Sequence, residues 1–336
     1  MTAAPDTGHG ESILKHFAPA RGAAEPGRPA VATGSGKVAA HLAMLLFAAL
    51  VSGSYSLGAM AASHVGPAAI NAVRFLVGVA AMGGAAAFML GGRIPAPRAP
   101  WRYLVLGALM AVFFVTMFVA LKLTDPVSTG AVFTLMPLMA AAFGRMFLGE
   151  VPRPLVLASL VVAGCGAVWV IFGGELDALL SFDLGAGELI FLAGVACHAA
   201  YAPLVKRFNR GEPVAAFTLW TLVATGLWIA LYGAGEIVAT DWTALPAVVW
   251  LAIAYLAIFT TAGTFFLLQF AAMRLPAAKV LAYNYLTPTL IIVYEGLLGH
   301  GWTSVSVMAG AVLTVAGLAV MAAAPDVRSD SGAGPG

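Results

Sequence analysis

A chain of 336 residues with 61% hydrophobic and only 10% charged side chains is excluded from the water-soluble globular class, in which about a quarter of residues are charged. The net charge of +2 is distributed loop by loop and carries no signal for a nucleic-acid partner. Long runs of Ala, Leu, Val and Gly without alternation select helices over a barrel, each needing about 20 apolar residues to cross roughly 30 Å of hydrocarbon.

In chain order, residues 1–37 are rich in Ala, Gly, Pro and small polar residues and are expected to form a disordered tail. The tail lacks the short apolar core and cleavage site of a signal peptide. Ten spans follow, at about residues 38–61, 66–90, 101–121, 126–148, 154–173, 186–205, 213–234, 246–271, 276–298 and 303–323. Residues 325–336 are expected to be a second disordered tail. Proline marks the breaks, because it cannot continue a helix and suits a new first turn. The connections are short, so successive helices are expected to be neighbours. Cys165 and Cys197 both lie in apolar spans and read as buried free thiols.

Lysine and arginine set the orientation, because cytoplasmic loops retain them. With the N-terminus inside, thirteen basic residues fall on inner segments, and Lys122 alone on an outer one. The outer connections hold Asp125, Glu175, Asp177, Asp183, Glu236 and Asp241. Both termini are expected in the cytoplasm of a bacterium, with the helices in its inner membrane.

The chain also repeats itself. Pro126–Glu150 shares its layout with residues 276–300: Pro126 answers Pro276, Leu148-Gly149 answers Leu298-Gly299, and Glu150 stands where His300 does. Pro67 lines up with Pro213 at an offset of 146, which sets Tyr55 over Tyr201, Ser52 over His198 and Arg74 over Trp220. Five spans answer five. Five being odd, the second copy enters the membrane with opposite polarity, the arrangement of many secondary transporters. The expected fold is all-α and integral to the membrane, with repeats over 38–174 and 185–324.

This layout resembles the drug/metabolite transporter superfamily, EamA-type branch. The resemblance rests on the paired fivefold repeats, the proline-started fourth and ninth spans, the ALKLTDPVSTGAVFTLMPLMAAAFGRMFLGE stretch and the segment from Pro67 to Arg74-Phe75. It covers about residues 38–324. Two departures are Gly299-His300 where the family usually has Gly-Glu, and Ser52 and His198 near the places of an early tryptophan. The resemblance implies a central cavity lined by helices 1, 3, 4, 6, 8 and 9, with contributions from 2 and 7. It also implies export of amino acids or similar metabolites.

Candidate site residues are the polar groups inside oily spans, where an unpaired charge costs several kcal/mol. In the ninth span, at about 100° per residue, Lys279, Tyr283 and Thr287 fall within roughly 80° of one another. Asn284 and Glu295 lie together about 80° around from them on the same wheel. Lys279 and Glu295 each sit one turn from an end, where snorkelling to the interface is an equal reading. In the second span, Arg74 either hydrogen-bonds helix carbonyls or binds a substrate carboxylate, for which guanidinium is the matching fork; Asn71 is its expected partner. His198 in the sixth span is either a packed neutral ring or a proton-coupling group, and Glu295 is a second coupling candidate. Tyr55, Tyr201, Trp220, Tyr283 and Tyr285 offer amphipathic lining, and Gln269 a polar contact near the end of the eighth span.

Other classes fit poorly. The sequence has no HExxH, GxSxG or intramembrane Asp pair for an enzyme and no GxxxxGK[ST] for a pump. It also has no ring of groups for a channel filter. The expected function is a secondary or facilitative carrier for a small metabolite, amino acids or related compounds being exported by alternating access. The alternatives are proton-coupled efflux of amphipathic drugs or a non-transporting sensor or scaffold. No cofactor or metal is called for; the expected partners are a small-molecule substrate and the bilayer. A monomer suffices, and the oligomeric state is left open.

Overall fold

The computed structural model describes residues 34–62, 64–121, 123–124, 126–182, 185–297 and 302–325. The expected tails at 1–33 and 326–336 lie outside the described residues, as do Lys122, Asp125, Asp183 and His300. Residues 34–37, assigned to the tail from sequence, instead form the first turn of a helix.

The helices are α1 (Gly34–Ala62), α2 (Pro67–Met89), α3 (Trp101–Leu121), α4 in two pieces (Pro126–Phe133 and Met136–Leu148) and α5 (Pro154–Ile171). The second set is α6 (Ala186–Phe208), α7 (Val214–Ala239), α8, α9 and α10 (Val305–Ala323). The α8 helix runs Ala247–Ala257, a π-helical stretch Ile258–Gly263, then Thr264–Ala272. The α9 helix runs Ala277–Ala282, a 3-10 turn Tyr283–Tyr285, then Leu286–Leu297. One short helix, Leu176–Leu180, lies between α5 and α6. Eight of these helical runs are long and apolar enough to cross a membrane, with Trp101–Met117 a shorter apolar run. The broken α9 completes ten spans.

Proline sets the starts as its chemistry requires. Pro67 and Pro154 occupy the first turns of α2 and α5, where the missing N–H is not needed, and Pro213, Pro246 and Pro276 cap α7, α8 and α9.

Packing departs from the chain-neighbour expectation. The α2 helix packs chiefly on α7, α3 on α6, α5 on α10, and α1 on α8 and α9. Each helix thus finds its main partner in the opposite repeat. Without a hydrophobic force between helices in lipid, close backbone approach at small residues decides the pairing. A Cβ on Gly166 would stand 2.6 Å from the Gly310 carbonyl oxygen, and one on Gly317 2.9 Å from that of Ser159, so α5 and α10 meet glycine to backbone. A Cβ on Gly107 would lie 2.7 Å from the backbone of α7 at Ala224 and Thr225.

The two ends of the bundle are closed by different chemistry. At the basic end, buried Arg102 donates to the carbonyls of Phe208 and Arg98 and to Glu212 Oε1 at 2.6 Å, tying α3 to the α6–α7 connection. Partial burial of Glu212 opposes its ionised form. The hydrogen bonds from Arg102 and the Arg210 N–H outweigh that and hold its carboxyl below the usual carboxylate range. At the acidic end, Glu236 Oε2 accepts the Ala68 N–H at 3.2 Å, capping α2 from α7. There too the Thr124 hydroxyl donates to Glu188 at the start of α6. Cys165 and Cys197 are free; Cys165 is exposed on α5 rather than buried, since that face turns away from α10.

Candidate functional site

The two broken helices meet at their breaks. Pro137 and Pro288 each remove a backbone donor; α4 is interrupted at Thr134-Leu135 and α9 narrows to a 3-10 turn at Tyr283–Tyr285. The Tyr285 hydroxyl donates to the Thr134 carbonyl at 2.9 Å. Asn284 Nδ2 reaches Met136 Sδ at 3.6 Å and the Leu281 carbonyl at 3.0 Å. On the other side the Ser52 hydroxyl of α1 reaches the Thr287 carbonyl at 3.3 Å. The Thr287 and Thr289 hydroxyls, just past the break, are buried and have no hydrogen-bond partner among the described residues.

The 3-10 turn also splits the polar stripe expected on an ideal wheel, because it advances the chain by about 120° per residue. Lys279, fully buried, donates to the Ala324 carbonyl at the end of α10 at 2.5 Å. Tyr283 faces α1, its hydroxyl 2.7 Å from His41 Nδ1. The two share no neighbour in these bonds.

Arg74 lies on α2 against the π-helical stretch of α8. Its Nε donates to Thr261 Oγ1 at 2.5 Å and its Nη2 to the Thr260 carbonyl at 3.0 Å. The stretch is shaped by its own hydroxyls: Thr260 and Thr261 both donate to the Leu256 carbonyl, and Thr264 to that of Thr260. Gly78, one turn beyond Arg74, permits the contact, since a Cβ there would sit 3.2 Å from the Ala257 carbonyl oxygen. Among the described residues no carboxylate pairs with Arg74. The charge is met instead by ring faces, with Phe114 5.3 Å and Phe75 6.0 Å from the guanidinium carbon. Asn71, one turn before Arg74, is buried.

The same ring cluster leads to His198. Phe75 meets Phe114 at 5.3 Å and Phe265 at 5.9 Å, and Phe113 meets Phe114 at 5.3 Å. Phe113 lies 4.5 Å from the His198 ring, with Tyr201 at 6.4 Å. Among the described residues neither nitrogen of this buried histidine has a hydrogen-bond partner. Tyr201 accepts from Gln269 Nε2 at 2.6 Å, and Gln269 Oε1 accepts from Thr218 at 2.8 Å, a buried chain across α6, α8 and α7.

The structure therefore brings Arg74, His198, Tyr201 and Gln269 around one aromatic cluster, and places Asn284 at the helix breaks. Trp220 stands apart, its indole donating to the Pro95 carbonyl in the α2–α3 connection at 2.9 Å. The side chains of Tyr55 and Glu295 lie outside the described residues. Sequence reasoning missed Thr260, Thr261, Thr289 and His41; the run of hydroxyls and glycine in FTTAG, inside an apolar span, was the available signal for the π stretch.

Three comparisons bear on identity. A solved crystal structure, described simply as that of a protein, superposes with a TM-score of 0.70 at 24% identity, covering 86% of this chain and 96% of its own, which is a likeness of fold. The uncharacterized transporter YyaM of Bacillus subtilis (strain 168) is 26% identical over 217 residues, 64% of this chain and 71% of YyaM. The model of the EamA-like transporter family matches twice, at residues 38–172 and 185–323, one match to each run of five helices. With nearly the whole helical bundle matched, the chain belongs to the EamA-like transporter family.

Proposed function

We propose that the protein is a secondary or facilitative carrier that exports a small metabolite carrying a carboxylate, an amino acid or a related compound, by alternating access. Its helices would lie in a bacterial inner membrane with both termini in the cytoplasm, the orientation that puts the basic end inside. The observation that carries the reading is Arg74. A cation within a span is costly unless answered. Here two helix acceptors fix the guanidinium while, among the described residues, no protein carboxylate neutralises it. A substrate carboxylate on the remaining donors would supply the missing charge, with the rings of Phe75, Phe114 and Phe265 receiving its apolar part. The breaks in α4 and α9 support the same reading, since discontinuous helices at the repeat interface are where carriers of this architecture hold substrate.

The test is a thermal-shift screen of purified protein against amino acids, nucleosides, sugars and amines, followed by uptake into proteoliposomes with the compound that raises the melting temperature most. Arg74→Ala is expected to fold, to lose at least tenfold in affinity for a carboxylate-bearing compound, and to lose transport. Unchanged transport in folded Arg74→Ala protein would remove arginine from the mechanism.

A further inference from the structure

We infer that Glu150 is a positioning residue for transport, a latch that holds the basic end of the bundle shut by joining three helices through one carboxylate. Gly149 ends α4 in the left-handed conformation, at φ 67°. The Glu150 N–H then returns to the Gly144 carbonyl at 3.2 Å, the reverse turn that ends many helices. That turn lays the side chain back along α4, with Oε2 3.0 Å from where a Cβ on Gly144 would stand; glycine there leaves the room.

From this position Oε1 accepts Lys206 Nζ at 2.7 Å, at the end of α6, and Oε2 accepts the Ala277 N–H at 3.2 Å, in the first turn of α9. The Ala277 N–H is one of the donors that a helix start leaves without an internal partner, and an anion there also meets the positive end of the helix dipole. Glu150 is 9% exposed, so both bonds act largely out of water.

The two bonds differ in what they join. The α4 and α6 helices pack against each other and with α3; the first piece of α9, Ala277–Ala282, packs chiefly on Met136–Leu148 and also on α6, whereas Tyr283–Leu297 packs on α1. Both bonds therefore lie at the seam where α4, α6 and the start of α9 meet, and the bond to Ala277 is the one that ties the start of α9 to the end of α4. Opening a path at the basic end requires the second to break.

The repeat gives the opposite end no equal. In sequence His300 answers Glu150 at an offset of 150, and Met60 answers Lys206 at 146, so neither the carboxylate nor the ammonium is duplicated. At the opposite end the carboxylate that joins two helices is instead Glu236, on the Ala68 N–H of α2. The latch rests on the carrier reading for its consequence in transport, but its structural content does not depend on any substrate.

The test uses the full chain with Cys165 and Cys197 replaced by Ala, reconstituted in vesicles and treated with a membrane-impermeant maleimide from one face at a time. Two reporters are made singly: Ala140→Cys, fully buried one turn deeper than Gly144 on α4, and Thr289→Cys beyond the break of α9. Glu150→Ala is expected to raise labelling of the Ala140→Cys reporter from the basic face by roughly tenfold and to lower that of the Thr289→Cys reporter from the acidic face, the reciprocal change of a population shift. Lys206→Met, which leaves the Ala277 bond in place, is expected to change both in the same directions by about two- to threefold, and it serves alone should Glu150→Ala fail to fold. Unchanged labelling in folded protein, or faster labelling at both faces, would overturn the latch. Because labelling needs no substrate, a failure to find any transported compound would overturn the carrier reading and leave this result standing.

Discussion

Two side chains with titratable groups inside the bundle, Arg74 and His198, stand at the borders of one aromatic cluster. They were legible in sequence because a guanidinium or imidazole within an apolar run is conspicuous on cost alone. Their surroundings were not. Thr260 and Thr261 are 186 and 187 positions from Arg74, and one-dimensional spacing says nothing of contacts across that distance. His198 permits a sharp test of coupling. In proteoliposomes with an imposed pH gradient, His198→Gln is expected to abolish gradient-driven accumulation while downhill exchange continues, if the imidazole is the group that takes up the proton. Accumulation retained by the variant would assign coupling elsewhere or leave the carrier driven by the substrate gradient alone.

Among the helices, prolines and glycines made the boundaries readable, and the proline-started spans all recur at their expected places. Interruptions within spans were less readable. Pro137 and Pro288 lie close to the interruptions of α4 and α9, but where Lys279 and Tyr283 reach was not readable: Lys279 bonds to the end of α10, and the Tyr283 hydroxyl lies against His41 of α1. The π stretch in α8 had no proline to announce it. Glycine pairing between helices belongs to the same scale. Gly166 and Gly310 face each other so closely that a methyl group on the first would meet carbonyl oxygen and amide nitrogen, which cannot rotate aside. Gly166→Ala is expected to cost about 2 kcal/mol or more through overpacking of α5 against α10. The measurement is the denaturation midpoint of the purified protein against Gly84→Ala, where a Cβ would meet nothing within 4 Å. Equal midpoints would show that these two helices do not need their close approach.

At the scale of the molecule, membrane residence and helical class were legible from composition, because oil demands apolar, internally hydrogen-bonded spans, and twofold repetition was legible from the matched spacing of prolines and end motifs. Which helix lies against which was not, since every span is apolar on most faces. The answer alters the mechanism. With α2 on α7, α3 on α6 and α5 on α10, any rocking of helices 1–5 against helices 6–10 would have to move main packing partners past one another. The packing around the breaks is mixed between the repeats: α4 lies with α6 and the first piece of α9, and α1 with α8 and the last piece of α9, the two sets meeting where Tyr285 ties the α9 break to Thr134. On the proposed alternating access, the polar groups around those breaks would open first to one face and then to the other.

A disulfide across the basic end tests this most directly. A Cβ on Gly144 would lie 3.7 Å from that of Ala277, within the range a disulfide spans. In a chain otherwise free of cysteine, Gly144→Cys with Ala277→Cys is oxidised, and Thr287→Cys at the break reports access to impermeant maleimide from each face. Alternating access predicts labelling from both faces in the reduced protein. After oxidation it predicts none from the basic face and faster labelling from the acidic face. Labelling from the acidic face that is indifferent to the cross-link would describe a pore, and labelling from one face only in the reduced protein would describe no carrier at all.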